Sequence, residues 1–470
     1  MDNDPTYTNI FWDAVKIFDD ADLNENYLLS LNYCSYNIAK VVSILTKDWL
    51  RFSKDGTIYC FCDHYWQKRS IEYSDFILNK LPQYYMRLGE YYMTKKDITK
   101  YNYINTFIKN FISSIKMKEI GEEMTKIHSY EHKDFFDKLN TNNYLIAFEN
   151  GVYDLEKLEF RDGRPSDNIT MSTGYKYIEE KTNDELMDII CKIIPKNNIR
   201  HYILKLFSVC LSGVALEKFY FLFGKDISFL TRLTDMTLGD YGYLCSVKFT
   251  NKDISNGTIE TRIPKAQNKR FMNLINPNEK IFNVNHIIKD FAGKHEMFGD
   301  SNKRYRPQYK ALIEYDEMLP YIGDDYCKWL RIRCIKFNNN NVFDSDKHKY
   351  KNAFMNILLK YWKIYKQEGL TDIPEIIEMT NEYREKDNSI KMFSDKFIKP
   401  TRNNLSYVGW TDLYNKYIGW CDKQKLSIPP TKKEIRDIFR EKIFTGHGLD
   451  FIKVQQWNIL GWPGYEIVGI

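Results

Sequence analysis

Five consecutive apolar residues, Phe219 to Phe223, run into Gly224-Lys225 and, a dozen residues later, into the turn Leu238-Gly239-Asp240-Tyr241. A buried strand that ends in Gly-Lys ahead of a helix is where an α/β protein grips phosphate. Glycine-rich backbone offers N–H groups, a lysine reaches the β and γ oxygens, and a Ser or Thr holds Mg²⁺, in the spacing G-x-x-x-x-G-K-[ST]. The chain has the strand and lacks the loop. Gly-Lys-Ser and Gly-Lys-Thr occur nowhere in it, and Gly224-Lys225 leads directly to Asp226, Ile227 and Ser228.

Other residues carry candidate chemistry. Between Lys294 and Lys310, Lys303, Arg304 and Arg306 interleave with Tyr305, which suits a nucleic-acid strand: cations neutralise phosphate and a ring stacks on an unpaired base. Lys432, Lys433, Arg436 and Arg440 offer a second set of phosphate contacts near the C-terminus. Cys60-x-Cys62-x-His64 has the look of half a zinc site, but it sits in the alternating pattern TIYCFCDHYW and has no second ligand pair. His128 and His132 are spaced like a helical metal pair without a third ligand, and read as packing histidines. No Ser/His/Asp or Cys/His set supports nucleophilic catalysis.

The elements that must position these residues follow from composition and period. At 470 residues the chain is too long for one hydrophobic core, and 43% hydrophobic with 16% aromatic residues gives ample core material. No apolar run is long enough to span a membrane and the N-terminus has no secretory pattern, so a protein of the cell interior is expected. Nine cysteines without scaffold spacing fit thiols in a reducing compartment. Net charge is +5, and residues 396–470, with 12 Lys or Arg against 7 Asp or Glu, account for all of it. Residues 9–50 and 70–140 read as helices around a strand at 57–66. Asn150-Gly151 and Asp162-Gly163 mark turns of a β element. Helices over 184–215 precede the Phe219–Phe223 strand, further strands are expected at 270–275 and 309–315, and 346–393 returns to helix. This alternation predicts an α/β core. In the last segment Leu413, Tyr417 and Trp420 form one apolar stripe and Ile435, Ile438, Phe439 and Ile443 another, both expected in a core.

The succession TIYCFCDHYWQK, YLIAFENGVYDLEKLEFRDGRPSDNI, FYFLFG with TLGDYGY, KRFMNLINPNE, PQYKALIEYDEMLP and WLRIRCIKF resembles the poxvirus-type primase-helicases of large DNA viruses, from about residue 35 to the C-terminus. The resemblance implies a superfamily 3 helicase: an AAA+ α/β core behind a helical, α+β N-terminal domain, followed by a winged-helix-like C-terminal domain. The corresponding boundaries are 1–183, 184–345, a helical connection over 346–395, and 396–470. It further implies a hexameric ring on DNA, with no room here for a preceding primase domain and hence no primer synthesis. At the nucleotide-handling positions of that family this sequence departs. Gly224-Lys225 stands without its loop, the Walker B acid aligns with Asn276, the polar sensor aligns with Asp316, and Trp-Arg-Arg becomes Trp329-Leu330-Arg331, leaving Arg331 and Arg333 as arginine candidates.

The resulting expectation is a helicase-like protein without ATPase chemistry and without cofactor. It binds DNA or other viral replication proteins, forms a weak or nucleotide-independent oligomer, touches no membrane, and resides in a cytoplasmic viral factory or a virion. An active ATP- and magnesium-dependent helicase and a scaffold reusing the fold stand as the alternatives.

Overall fold

The computed structural model describes residues 16–112, 114–180, 183–224, 227–248, 267–275, 297–298, 304–315, 322, 326–337, 347–401, 406–426, 428–429, 431–444, 452–454 and 459–469. The chain divides into two compact units, Met1–Lys176 and Tyr177–Ile470.

In the first unit, helices Ala21–Ser30, Ser35–Leu45, Leu81–Thr94, Ile98–Phe111 and Ser114–Glu131 enclose a core that includes Tyr27, Ile38, Val42, Tyr85, Phe107 and Met124. The first of these helices starts where the Asp20 carboxylate accepts the Leu23 N–H, satisfying one of the orphan donors of a helix end. The single strand expected over 57–66 is instead a hairpin, Ile58–Cys62 and Tyr65–Lys68, with Leu50–Phe52 on its other side. It reverses at Asp63, whose φ of 56° is a left-handed conformation that Asp tolerates better than most residues. The expected β element is present as the antiparallel strands Leu145–Phe148, Gly151–Asp154 and Glu159–Arg161.

The second unit is built on a five-stranded parallel sheet. Its strands are β1 (Phe219–Phe223), β2 (Leu244–Lys248), β3 (Phe271–Ile275), β4 (Lys310–Tyr315) and β5 (Ile332–Lys336), in the spatial order β5-β1-β4-β3-β2. All four ladders are parallel. A parallel sheet needs crossovers that cover both faces, which is why β1 reads as an unbroken apolar run with every residue buried. One face presents Phe219, Phe221, Phe223, Met272, Leu274, Ala311, Ile313 and Cys334, and Tyr383 of helix Pro374–Asp387 packs on it. The other meets helix Asn197–Val209 through Phe207 against Phe271 (6.4 Å between ring centroids) and Tyr202 against Tyr220.

The C-terminal part closes a separate core. Leu413, Tyr417, Ile435 and Phe439 are buried in it, while Trp420, Ile438 and Ile443 pack against its edge, so both apolar stripes are core as expected. Here strand Tyr407–Gly409 leads into helix Trp410–Gln424, then into helix Lys432–Ile438 with a further turn to Ile443. The strands Ile452–Val454 and Ile459–Pro463 follow and pair with each other, and Ile459–Pro463 also pairs with the first strand. The core also recruits Ile390 and Phe393, upstream of the boundary at 396, together with Phe397.

Candidate functional site

From β1 the chain passes to β2 at one edge of the sheet, while from β4 it passes to β5 on the other side of β1. The topology therefore reverses at β1. In open parallel sheets the crevice outside the strand carboxyl ends at such a reversal is where ligands bind. Gly224, Asn276 and Asp316 are the residues that directly follow β1, β3 and β4 in sequence. Lys225, Asn276 and Asp316 lie outside the described residues, whereas Gly224 is described in full.

Gly224 has φ +112°, a conformation that costs an L-residue dearly, and a Cβ there would lie 2.5 Å from the Phe337 carbonyl oxygen. Its N–H donates to the Tyr315 carbonyl at 3.3 Å, and the Phe337 N–H donates to the Phe223 carbonyl at 2.8 Å. The glycine is thus demanded by the close approach of β1 to the chain leaving β5, a structural need independent of any phosphate. Three residues, 224–226, separate β1 from helix Ile227–Leu238. Beside them Phe223 stacks on Tyr383 (4.4 Å, 17°) and on Tyr315 (6.3 Å, 17°), filling one face of the strand ends with aromatic rings.

The arginines are placed at the opposite end. The Arg331 carbonyl accepts the Phe219 N–H at 2.7 Å, which sets it beside the first residue of β1. Five strand residues at about 3.3 Å each put roughly 16 Å between that end and Gly224, so Arg331 and Gly224 of one chain do not meet at one phosphate. Arg331 is exposed, and Arg333 is engaged within the chain. Arg333 and Lys218 each bind the Asp372 carboxylate at 2.6 Å, and the Tyr202 hydroxyl donates to it at 3.0 Å. Burial works to raise the Asp372 pKa, but the hydrogen bonds from Arg333 and Lys218 prevail and hold it below the usual range.

Several polar groups inside the sheet escaped sequence reasoning. Asn273 is fully buried in β3 and neither of its side-chain amide atoms has a hydrogen-bond partner among the described residues, and Glu314 is buried one strand away in β4. The signal was an Asn and a Glu interrupting the otherwise apolar runs FMNLI and ALIEY. At the strand starts, buried Arg270 donates to the Leu211 carbonyl at 2.5 Å and buried Lys310 donates to the Ser212 carbonyl. Both acceptors lie just beyond helix Asn197–Val209, where the dipole favours cations. Burial lowers the Lys310 pKa to about 7, with Cys210 pulling it up and Arg270 pushing it down. The last lysine of the basic stretch 294–310 is therefore a core residue.

Within that stretch a short antiparallel ladder pairs Met297 with Tyr305 and Phe298 with Arg304, so a hairpin is present. Lys303 lies outside the described residues. Tyr305 is 8% exposed, and the stacking expected of it requires an open ring face that this burial does not provide; Arg306, next to it, is exposed. In the C-terminal part, Lys432, Arg436 and Arg440 recur every four residues along one flank, with exposed Lys433 beside them. The helix starts in a capping box of Thr431 and Glu434, and the Lys432 ammonium lies 4.4 Å from the Tyr414 ring centroid.

The two histidines pack as expected. The Phe52 N–H donates to His128 Nδ1 at 3.0 Å, so the neutral ring carries its proton on Nε2, which faces Ser43 Oγ at 3.1 Å. Among the described residues no group of three His, Cys, Asp or Glu is arranged to hold a metal ion. Cys60 is buried with its thiol toward the Arg69 carbonyl, and His64 Nδ1 accepts the Gly163 N–H at 3.3 Å.

Residues 34–208 match the family model described as D5 N terminal like. Over that stretch the chain is similar to D5 N-terminal-like domains. Over 349 residues the chain is 28% identical to a protein of Acanthamoeba polyphaga mimivirus named as a putative helicase, covering 66% of this chain and 36% of that protein. Proteins of the same description in invertebrate iridescent viruses 3 and 6 are 34% and 30% identical over 110 and 118 residues. The matched part spans little more than a third of the mimivirus relative and 12% of each iridescent virus relative. Among solved structures, the A form apo structure of the NrS-1 C terminal region overlaps 62% of this chain and 77% of its own, at 10% identity and a TM-score of 0.32. Among the described residues no helix is long and apolar enough to cross a membrane.

Proposed function

We propose that this chain is a helicase-like component of a large DNA virus's replication machinery that contributes DNA contacts without hydrolysing ATP. One observation carries the reading: residues 224–226 alone connect β1 to the next helix, whereas a phosphate loop occupies about eight residues and ends in Gly-Lys-Ser/Thr. Backbone N–H groups that cannot wrap a triphosphate leave Mg²⁺ and the γ-phosphate unheld, and phosphoryl transfer is almost entirely positioning and charge stabilisation. An amide at Asn276 is a weak magnesium ligand, a carboxylate at Asp316 repels phosphate, and Arg333 is occupied by Asp372. On this reading the chain takes neither ATP nor magnesium as cofactor.

DNA contact comes from the hairpin that ends in Arg304–Tyr305, through Lys303, Arg304 and Arg306, and from Lys432, Lys433, Arg436 and Arg440 on what we take to be a winged-helix domain. These are phosphate contacts, so binding is sequence-tolerant and salt-sensitive. The chain works inside the infected cell, in a viral factory or a particle, beside other viral replication proteins. Equilibrium titration with a fluorescent ATP analogue and Mg²⁺, alongside a steady-state ATPase assay, tests the first half; neither binding nor turnover is expected. ATP-dependent strand separation that disappears in Lys225→Ala would overturn it. For the second half, anisotropy with labelled DNA at rising salt is expected to show a steep loss of affinity, and absence of binding at low salt would leave the scaffold role.

A further inference from the structure

The first unit contains a cleft of about 480 Å³ whose wall includes Lys47, Arg51, Trp66, Phe135 and Lys138, a volume in the range of about 300–1,000 Å³ typical of ligand pockets. Arg51 sits in strand Leu50–Phe52, and because Leu50 and Phe52 point into the helical core, its side chain leaves on the opposite face. There its guanidinium lies 5.3 Å from the Trp66 ring centroid and 5.5 Å from that of Phe135, rings that are themselves 4.7 Å apart in an edge contact. Trp66 is fixed in turn by its indole N–H donating to the Pro165 carbonyl at 2.9 Å.

A guanidinium has five N–H donors. Arg51 uses Nη1 on the carbonyl of its neighbour Leu50 at 2.7 Å, while its Nε is buried and has no hydrogen-bond partner among the described residues. Among the described residues no carboxylate forms an ion pair with it: Asp134, on the same wall, lies 3.6 Å from Lys138, and Asp48 acts on Arg51 only from a distance. A rigid cation with donors left over, held against two rings at the edge of a cavity, is preorganised for an oxyanion. The wall carries Lys47, Arg51 and Lys138 against Asp48 and Asp134, a surplus of one positive charge. That balance suits a monoanionic phosphodiester better than a dianionic phosphate. Trp66 and Phe135 are buried, so no ring is open to stack on a base, and recognition is of backbone without sequence.

We infer that the cleft around Arg51, Lys47 and Lys138 is an anion site that takes a phosphate group of a single-stranded nucleic acid. The inference deepens the DNA-binding reading and rests on it for the ligand class, but on residues of the first unit alone. The test uses the full chain and fluorescein-labelled dT20 at several salt concentrations, with inorganic phosphate as a second probe by calorimetry. Arg51→Gln and Lys138→Glu are each expected to weaken dT20 about tenfold and to lower the log–log salt slope by about 0.7, the value for one lost phosphate contact on a single strand. Lys138 is exposed, which keeps the test available if Arg51→Gln fails to fold. Arg51-dependent binding of inorganic phosphate with unchanged dT20 affinity would identify free phosphate as the source of the anion. Wild-type behaviour of both variants toward both probes would overturn the site. Lys433→Gln/Arg440→Gln, read in parallel, reports separately on the C-terminal contacts.

Discussion

Replacing Gly224 by alanine separates the two roles a glycine can have at the end of β1. At φ +112° an L-residue carries about 1–3 kcal/mol of backbone strain. The added Cβ would also sit 2.5 Å from the Phe337 oxygen, a backbone atom that cannot swing away as a side chain would. Relief requires the end of β5 to withdraw from β1, which sacrifices the 2.8 Å bond between the Phe337 N–H and the Phe223 carbonyl, worth about 1 kcal/mol. Together these place the cost of Gly224→Ala at about 2–4 kcal/mol, concentrated at the junction of β1 and β5. Hydrogen exchange followed by mass spectrometry is the appropriate assay, since a chain of two units has no single unfolding free energy. Peptides covering 219–224 and 332–337 are expected to exchange at least tenfold faster in the variant, with the first unit unchanged. Unaltered protection there, with loss of binding to a nucleotide, would refute the packing account and restore a phosphate role.

The histidine pair makes the first unit acid-sensitive. Burial, reinforced by each other and by Arg51, lowers His128 to about 3, and burial with Arg51 lowers His132 to about 4, from an ordinary 6.5. The unfolded chain therefore binds more protons between those values, so the stability is complete above about pH 6.5 and drains away as pH falls through the window toward 3. For His128 alone the loss between about pH 7 and pH 5 is about 2 kcal/mol. His128→Phe should show a flatter pH dependence of protection at core amides that His128 does not itself bind, such as those of helix Ser35–Leu45, and an unchanged slope would count against the buried neutral ring. Assembly gives a further test. Nucleotide stabilises only an assembly that holds it, so mass photometry is expected to show the same monomer or loose oligomer with and without ATP, and a hexamer appearing only on ATP addition would defeat that expectation.

Legibility followed locality. FYFLF marked β1 to the residue because a strand buried on both faces leaves an unbroken apolar signature, and β3 and β4 began within one residue of expectation for the same reason. The hairpin at Asp63 was hidden because its turn uses Asp-His in place of the Asn-Gly or Asp-Gly that announces a reversal. The fate of Arg333 could not be read locally at all, since its partner Asp372 stands 39 residues away. Tyr305 and Lys310 illustrate the same limit from the other side. An alternation of cations and rings reads as surface, and only the tertiary fold turns Tyr305 and Lys310 inward.

The pair of cations at the strand starts has a consequence for how the second unit forms. Just beyond helix Asn197–Val209 the Leu211 and Ser212 carbonyls accept from Arg270 and Lys310, residues 59 and 98 positions downstream of their acceptors. Closing loops of that length costs chain entropy before any contact repays it. Until β3 and β4 align, the helix end and both side chains keep their water. Dehydrating two charges together is then a late, concerted step, and the helix, though early to coil, gains its full protection only when the sheet is complete. Synthesis from the N-terminus makes this order concrete, because the helix emerges nearly a hundred residues before the lysine that finishes it.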